Sequence, residues 1–395
     1  MLECPVCSNT ASWPLVTLAD LPMVPCRYTD TRSQALAAER GTLALCLCAG
    51  CGHVYNQSFE PDRMHYDPAY DSDLGFSARF RDYRARLVRR LVDAHGLREK
   101  SIIEIGCGHG DFLSELCRAG ANRGVGYEPS QPGRDFAAGE GHVTVLPEPL
   151  VAARAEPADF VCAQHVLEHL PDVVATLREA RGVLKDNGAV YFEVPNGAAR
   201  LRRRFVWDIA YEHVSYFSPT SLAHALSDAG LAVSRLGTAF GDQYLQAEGG
   251  PARSSPSKHP SEALRVAWRE ADEMRHGFAD RLQGVLGYWR RRLDRALGEG
   301  RVVLWGAGAK AVSFLSLLRI GTDEVEYVVD INPRKVDRFV PGTGQRIIAP
   351  EALADHRPTG VFVMNPQYLE EIRAQLASLG IACDLVPVDE VPTAQ

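Results

Sequence analysis

The segment that most limits how this chain can fold is Ile102-Ile103-Glu104-Ile105-Gly106-Cys107-Gly108-His109-Gly110-Asp111-Phe112. An apolar run of strand length reaches an acid and passes at once into three alternate glycines, with a helix-like stretch behind them. Glycine accepts the positive φ angles of a tight turn and lets a ligand approach the backbone closely. The rhythm then repeats. Short apolar runs at Ser101–Ile105, Gly124–Tyr127, Asp159–Ala163 and Ala189–Val194 alternate with stretches of helical spacing. This predicts an α/β fold, a mostly parallel sheet covered by helices. Ahead of it, Tyr83, Leu87 and Leu91, with Val88 and Val92 beside them, recur at helix spacing.

The second acid of the pattern is Glu128, 22 residues after Gly106 and at the end of the next apolar run. A carboxylate there is placed to accept hydrogen bonds from two ribose hydroxyls. A dinucleotide-binding turn reads G-x-G-x-x-G, whereas this one reads E-x-G-x-G-x-G and offers no pyrophosphate cradle. With the segment Asp159–His169, the spacing matches class I methyltransferases. It predicts an S-adenosylmethionine site made by Glu104, Gly106, Gly108, Gly110, Phe112, Glu128, Gln164 and His165. NAD is the competing cofactor.

Six of the ten cysteines lie in the first 51 residues. Four of them form two CxxC pairs, Cys4/Cys7 and Cys48/Cys51, a spacing that lets both thiolates of a pair face one ion. The expectation is a closed, structural zinc site in a small module that depends on metal to fold. Cys26 and Cys46 are spare. The chain opens without a basic or apolar leader, so the cysteines read as reduced and the protein as cytoplasmic.

At 395 residues the chain exceeds one ordinary core, and three parts are expected: a zinc module over 1–70, a cofactor domain over 75–248 and a last domain over 262–395. The net charge of −7 gives no general attraction to nucleic acid, and no apolar run has membrane-spanning length. A small molecule is the expected partner, and a monomer or homodimer the expected state. Pro251–Pro260 reads as a linker, and a long helix is expected from Ser261 to Leu297, relaxed near Gly284 or Gly287. The βα rhythm resumes with Val302–Trp305, then Gly306-x-Gly308-x-x-Ala311 and an acid, Asp330, ending the next strand. The middle and last parts thus share a layout that looks like a degenerate duplication.

Taken together, the segments Cys4–Cys7, Cys48–Gly52, Glu104–Gly110, Glu212–Ser218, Val328–Asp330 and Phe339–Thr343 resemble the three-part methyltransferases of deoxysugar biosynthesis. That family combines a zinc-binding domain, a class I methyltransferase domain and a C-terminal Rossmann-like domain. The resemblance spans nearly the whole chain. It implies C-methylation of a nucleotide-linked keto sugar lying between the last two domains.

In the family a Tyr-His-Glu-His-x-Ser-Tyr segment supplies catalytic residues. Glu212 and His213 match its acid and second histidine, while its tyrosine falls on Ala210 and its first histidine on Tyr211. A further Gly-Gly-Ser-x-Arg segment would fall near Phe240–Gln246 and is absent. His213 is accordingly the expected base, with Glu212 orienting it or binding hydroxyls. Tyr211 and Tyr216 are candidate donors to the oxyanion, and His165 is expected at the mouth of the site. His169 reads as a cap or packing residue for the helix near Pro171. One of Arg200, Arg202, Arg203 and Arg204 is a candidate clamp for a diphosphate. The departures from the family pattern leave two alternatives, O- or N-methylation of a sugar or small natural product, and a non-enzymatic binding protein.

Overall fold

The structure, a computed structural model, describes residues 2–129, 142–253, 273–389 and 391. Its strands in chain order begin with β1 (Ser12–Pro22), β2 (Arg40–Cys48), β3 (Val54–Asn56), β4 (Ser101–Ile105), β5 (Arg123–Tyr127), β6 (Val143–Leu146), β7 (Ala158–Gln164) and β8 (Leu184–Pro195). They continue with β9 (Ser215–Tyr216), β10 (Leu231–Ala239), β11 (Tyr244–Pro251), β12 (Val302–Trp305), β13 (Tyr327–Val329), β14 (Arg346–Ile348), β15 (Gly360–Val363) and β16 (Asp384–Pro387).

These strands make three sheets. The middle one has the order β10-β11-β8-β7-β4-β5-β6, parallel except for β11, which runs antiparallel to both of its neighbours, β8 and β10. Successive strands lie to one side of β4 and then to the other, so the order reverses at β4. The carboxyl end of such a strand is where α/β sheets bind ligands. Glu104 and Gly106 stand there. The last sheet, β14-β13-β12-β15-β16, is wholly parallel and reverses at β12, in front of Gly306.

The two crevices are built alike. Gly106 N–H donates to the carbonyl of Tyr127 at 2.7 Å, and Gly306 N–H to that of Val329 at 2.8 Å. Gly108 N–H donates to Glu128 Oε2 at 2.8 Å, and Ala307 N–H to Asp330 Oδ2 at 2.8 Å. The duplicated layout read in the sequence therefore extends to the hydrogen bonds that staple each glycine turn to the acid of the next strand.

The first sheet is antiparallel, β1-β2-β3-β9, and its last strand comes from far down the chain. Hydrophobic packing also crosses the expected boundaries. One buried cluster joins Leu45, Trp207, Trp289, Phe314 and Phe362, and another joins Cys48 and Tyr55 to Leu167 and Phe217. Trp207 is fully buried, with its ring 4.7 Å from that of Phe314. Truncating a buried tryptophan leaves a large cavity. Trp207→Ala is expected to destabilise the protein by about 3–5 kcal/mol, read as a shifted urea midpoint.

The helix expected over 80–92 runs over Ala78–His95, capped by the Ser77 side chain at its start and by Gly96 (φ 59°) at its end. It buries Leu87, Val88, Leu91 and Val92, as their spacing requires. The long later helix spans Phe278–Glu299 and begins after Gly277 (φ 69°). It runs unbroken through Gly284 and Gly287, which corrects the expected relaxation there, because Phe278, Leu282, Val285, Trp289 and Leu293 form one buried stripe that holds the helix down. Residues 261–272 of the expected helix, and 254–260 of the expected linker, lie outside the described residues, while Pro251 closes β11.

Candidate active site

One cavity of about 670 Å³ lies between the crevices of the middle and last sheets, with a third wall from residues 66–84. That volume suits an organic ligand largely removed from water.

The glycine turn forms one end. Gly106, Gly108 and Gly110 all have positive φ (66°, 54° and 73°), and a Cβ on Gly106 would sit 2.3 Å from Val166 Cγ2. The turn is therefore closed to larger residues on geometry alone. Gly110 does not reach the cavity; it caps the helix Asp111–Gly120. Phe112, at the start of that helix, does line it, as do Glu104 and Glu128. Glu104 is 3% exposed, and its Oε2 has no hydrogen-bond partner among the described residues. Burial pushes its carboxyl well above the usual range. A buried, unpaired acceptor of this kind calls for a donor from a ligand.

Gln164 and His165 follow at the end of β7. The buried carboxylate of Glu193 gathers this region, accepting from Tyr83, from Tyr191 at 2.7 Å, and from Gln246 Nε2 at 2.9 Å and Gln164 Nε2 at 3.2 Å. His165 has a positive φ of 54°, uncommon for a side chain of its kind and typical of over-determined sites. Its Nε2 stands 3.4 Å from Glu193 Oε1 without hydrogen-bond alignment, and its Nδ1 stands 3.7 Å from Glu168 Oε1. Burial alone would depress this imidazole, but Glu168 and Glu193 outweigh it and lift the group to about 9.

The Glu212-His213 segment forms the opposite side, and it is fixed by β3 of the first sheet and by the turn that follows β7 of the middle one. Asn56 N–H donates to the Val214 carbonyl at 2.8 Å, Asn56 Nδ2 lies 3.3 Å from the Tyr211 carbonyl, and Val214 N–H donates to Glu168 O at 2.8 Å. Burial, then the neighbouring Glu168, pushes the Glu212 carboxyl up to about 8. Burial, then His169, pushes His213 down to about 4. The pair thus presents a neutral imidazole and a protonated acid at neutral pH.

Several expectations need correction. Tyr211 and Tyr216 do not line the cavity. The Tyr211 ring lies against Phe59 and over Gly41, with its hydroxyl toward Ser58 O and Glu60 Oε2, both at 3.4 Å. The Tyr216 hydroxyl closes a turn by bonding both N–H and carbonyl of Ala210. None of the four arginines reaches the cavity. Arg200 is buried, bonded to Asp208 and stacked on Phe205 at 3.7 Å.

The cations facing the cavity from the last sheet are Lys310, 3.1 Å from Asp208, and Lys335, 3.5 Å from Asp330. His169 lines the cavity as well, and the helix Val173–Val183 is capped by Asp172 instead. Tyr66 and Tyr70, which sequence reasoning passed over, supply hydroxyls near Glu212. Only their place ahead of a helix in the first module hinted at a role.

The cysteine cluster lies apart from the cavity. Its four sulfurs fall within 4.8 Å of one another, with Cys4–Cys51 at 3.6 Å and Cys7–Cys48 at 3.5 Å. Thiolates placed tetrahedrally about 2.3 Å from an ion stand roughly 3.8 Å apart, so the donor set fits zinc. Gly50 N–H donates to Cys48 Sγ at 3.2 Å, as in a metal knuckle.

Two family models match stretches of the chain. Residues 77–236 match the model of a methyltransferase domain, and residues 263–382 that of a C-methyltransferase C-terminal domain. The C-methyltransferase NovU of Streptomyces niveus is 26% identical over 387 residues, covering 94% of this chain and 91% of that protein. A ubiquinone biosynthesis O-methyltransferase of Serratia proteamaculans is 32% identical over 118 residues, 28% of this chain and 49% of that protein. Among solved structures, the 1,6-didemethyltoxoflavin-N1-methyltransferase of Burkholderia thailandensis covers 44% of this chain and 80% of its own, at 17% identity and a TM-score of 0.36.

Proposed function

Because this chain belongs to the S-adenosylmethionine-dependent C-methyltransferases, with a class I methyltransferase domain followed by their C-terminal domain, we propose that it methylates the carbon beside the ketone of a nucleotide-linked keto-deoxysugar. The observation carrying this reading is that one cavity joins the Glu104–Gly108 turn to the Glu212-His213 pair and to the last sheet. S-adenosylmethionine, when bound, supplies a methyl group already activated by its sulfonium.

The residues of the chain do the rest. Glu128 takes the ribose hydroxyls and Glu104 the amino acid portion, with Gln164 and His165 beside the transferred group. Neutral His213 removes the α-proton at Nδ1 or Nε2, whichever faces the substrate carbon. Protonated Glu212, backed by Tyr66 and Tyr70, donates to the ketone oxygen and holds the enolate charge. Lys310 and Lys335 face the nucleotide side. The four cysteines Cys4, Cys7, Cys48 and Cys51 would hold zinc as a structural ion, and a thiolate metal site of this kind supports a reducing, cytoplasmic setting.

A keto sugar incubated with enzyme in D2O, without the methyl donor, is expected to take up deuterium at the α-carbon. Methylation without such exchange would refute carbon attack through an enolate. Transfer to oxygen or nitrogen, the alternative reading, is separated by the carbon shift of a labelled methyl in the product.

Two further results are expected. Glu128→Ala loses two charge-assisted hydrogen bonds worth about 1.5–3 kcal/mol each, so calorimetry should show the methyl donor binding at least about 100-fold more weakly. The pH profile of kcat/KM should rise as His213 loses its proton near 4 and fall as Glu212 loses its own near 8. Glu212→Gln should remove the alkaline limb alone.

A further inference from the structure

Among the described residues, a second group besides the cysteines has the makings of a metal centre. Donor atoms of Glu168, His169 and His213 all lie within 4.8 Å of one another. They sit in the cavity, on two segments tied together by the Val214–Glu168 backbone bond.

Three details go beyond proximity. His169 Nδ1 stands 3.2 Å from the Glu212 carbonyl oxygen and 3.2 Å from the Tyr66 hydroxyl. An Nδ1–H given to a carbonyl fixes the tautomer whose Nε2 carries a lone pair, which is how metal-ligating histidines are oriented. That Nε2 faces Glu168 Oε1 at 4.0 Å. Glu168 Oε2 is buried and has no hydrogen-bond partner among the described residues, an acceptor that a cation would satisfy. The His213 ring meets His169 edge-on, with centroids 5.0 Å apart.

Donors around one ion at about 2.0–2.2 Å stand roughly 3–3.5 Å apart, so closure asks for side-chain movements of about an ångström. Two imidazoles and one carboxylate suit borderline divalent ions better than magnesium or calcium.

We propose that Glu168, His169 and His213 form a second transition-metal site, and that a zinc, cobalt or nickel ion held there silences the enzyme by taking the His213 lone pair. Binding depends only on the donor geometry; the silencing rests on His213 being the base.

The test titrates Co2+ into protein whose cysteine module already carries zinc. One further ion per chain is expected, with ligand-field bands of a nitrogen and oxygen site and no thiolate-to-cobalt charge transfer. Glu168→Gln and His169→Ala should each weaken that binding at least tenfold. Their zinc content and affinity for the methyl donor report whether they fold. No cobalt bound beside the zinc, or equal binding in both folded variants, overturns the site.

Cobalt at saturation should also slow α-carbon exchange of the keto sugar at least tenfold, reversibly on mild chelation. Cobalt bound with exchange unchanged overturns the silencing. Failure of exchange in cobalt-free enzyme would instead count against His213 as base and leave the binding result standing.

Discussion

His213→Asn is expected to lower kcat by about 10²–10⁴-fold, the usual worth of a positioned general base, with binding of the methyl donor unchanged. The variant keeps a polar side chain of similar size, so the loop over Glu212 should keep its shape. The ring it replaces is held neutral by burial and by His169, and a neutral imidazole is what proton abstraction needs. Single-turnover rates and calorimetry on the same preparation separate chemistry from binding. The acid limb of the pH profile near 4 should vanish with the histidine. A variant that keeps half of native kcat would transfer the role to another group.

Removing the zinc proposed for the cysteine module should do comparable damage from a distance. Without an ion, four thiols crowd one small space, and such modules draw most of their folding energy from the metal. The strand leaving the second knuckle is β3, and β3 pairs with β9, two residues beyond His213. Asn56 on β3 also holds Tyr211 and Val214 on either side of Glu212 and His213. Chelation, or Cys48→Ser, is therefore expected to cut kcat by at least about 100-fold, the cost of a misplacement of about an ångström. Affinity for the methyl donor should change far less, because its turn belongs to the middle sheet. Equal loss of both would mean global unfolding, and no loss of kcat would show that the segment stands without its metal-bound neighbour. Asn56→Ala offers a milder version with the cysteines intact.

The glycine-turn end of the cavity was readable in the sequence because it is local. Strand, turn and acid lie within 27 residues, from Ile102 to Glu128, and glycine spacing dictates where backbone N–H groups point. The class I fold, and the echo of it in the last part, follow from the same local grammar. The substrate end was readable only in part. Tyr211 is adjacent to Glu212, yet Glu212 turns into the cavity while Tyr211 packs over Gly41 in the first sheet. In a turning segment sequence adjacency does not settle which way a side chain faces, since the adjacent Glu212 and His213 both line the cavity, and no periodicity says which side is wet. His169 shares its few residues with His165 and Glu168, but its role is set by Tyr66 and the Glu212 carbonyl, 103 and 43 residues away. The arginine run misled because Asp208, which neutralises Arg200, has no sequence signature marking it as a partner. Lys310 and Lys335 came into view only once the last sheet was seen to face the middle one.

The two stapled crevices have diverged in one respect. In the last one, a buried lysine, Lys335, stands 3.5 Å from Asp330 and donates to the Ala307 carbonyl at 3.2 Å. A duplicated cradle has thereby become a wall. Under the proposed function that wall meets part of the acceptor while the first crevice meets the methyl donor, and swapping the final third between relatives is then expected to alter which molecule is modified while leaving the source of the carbon alone.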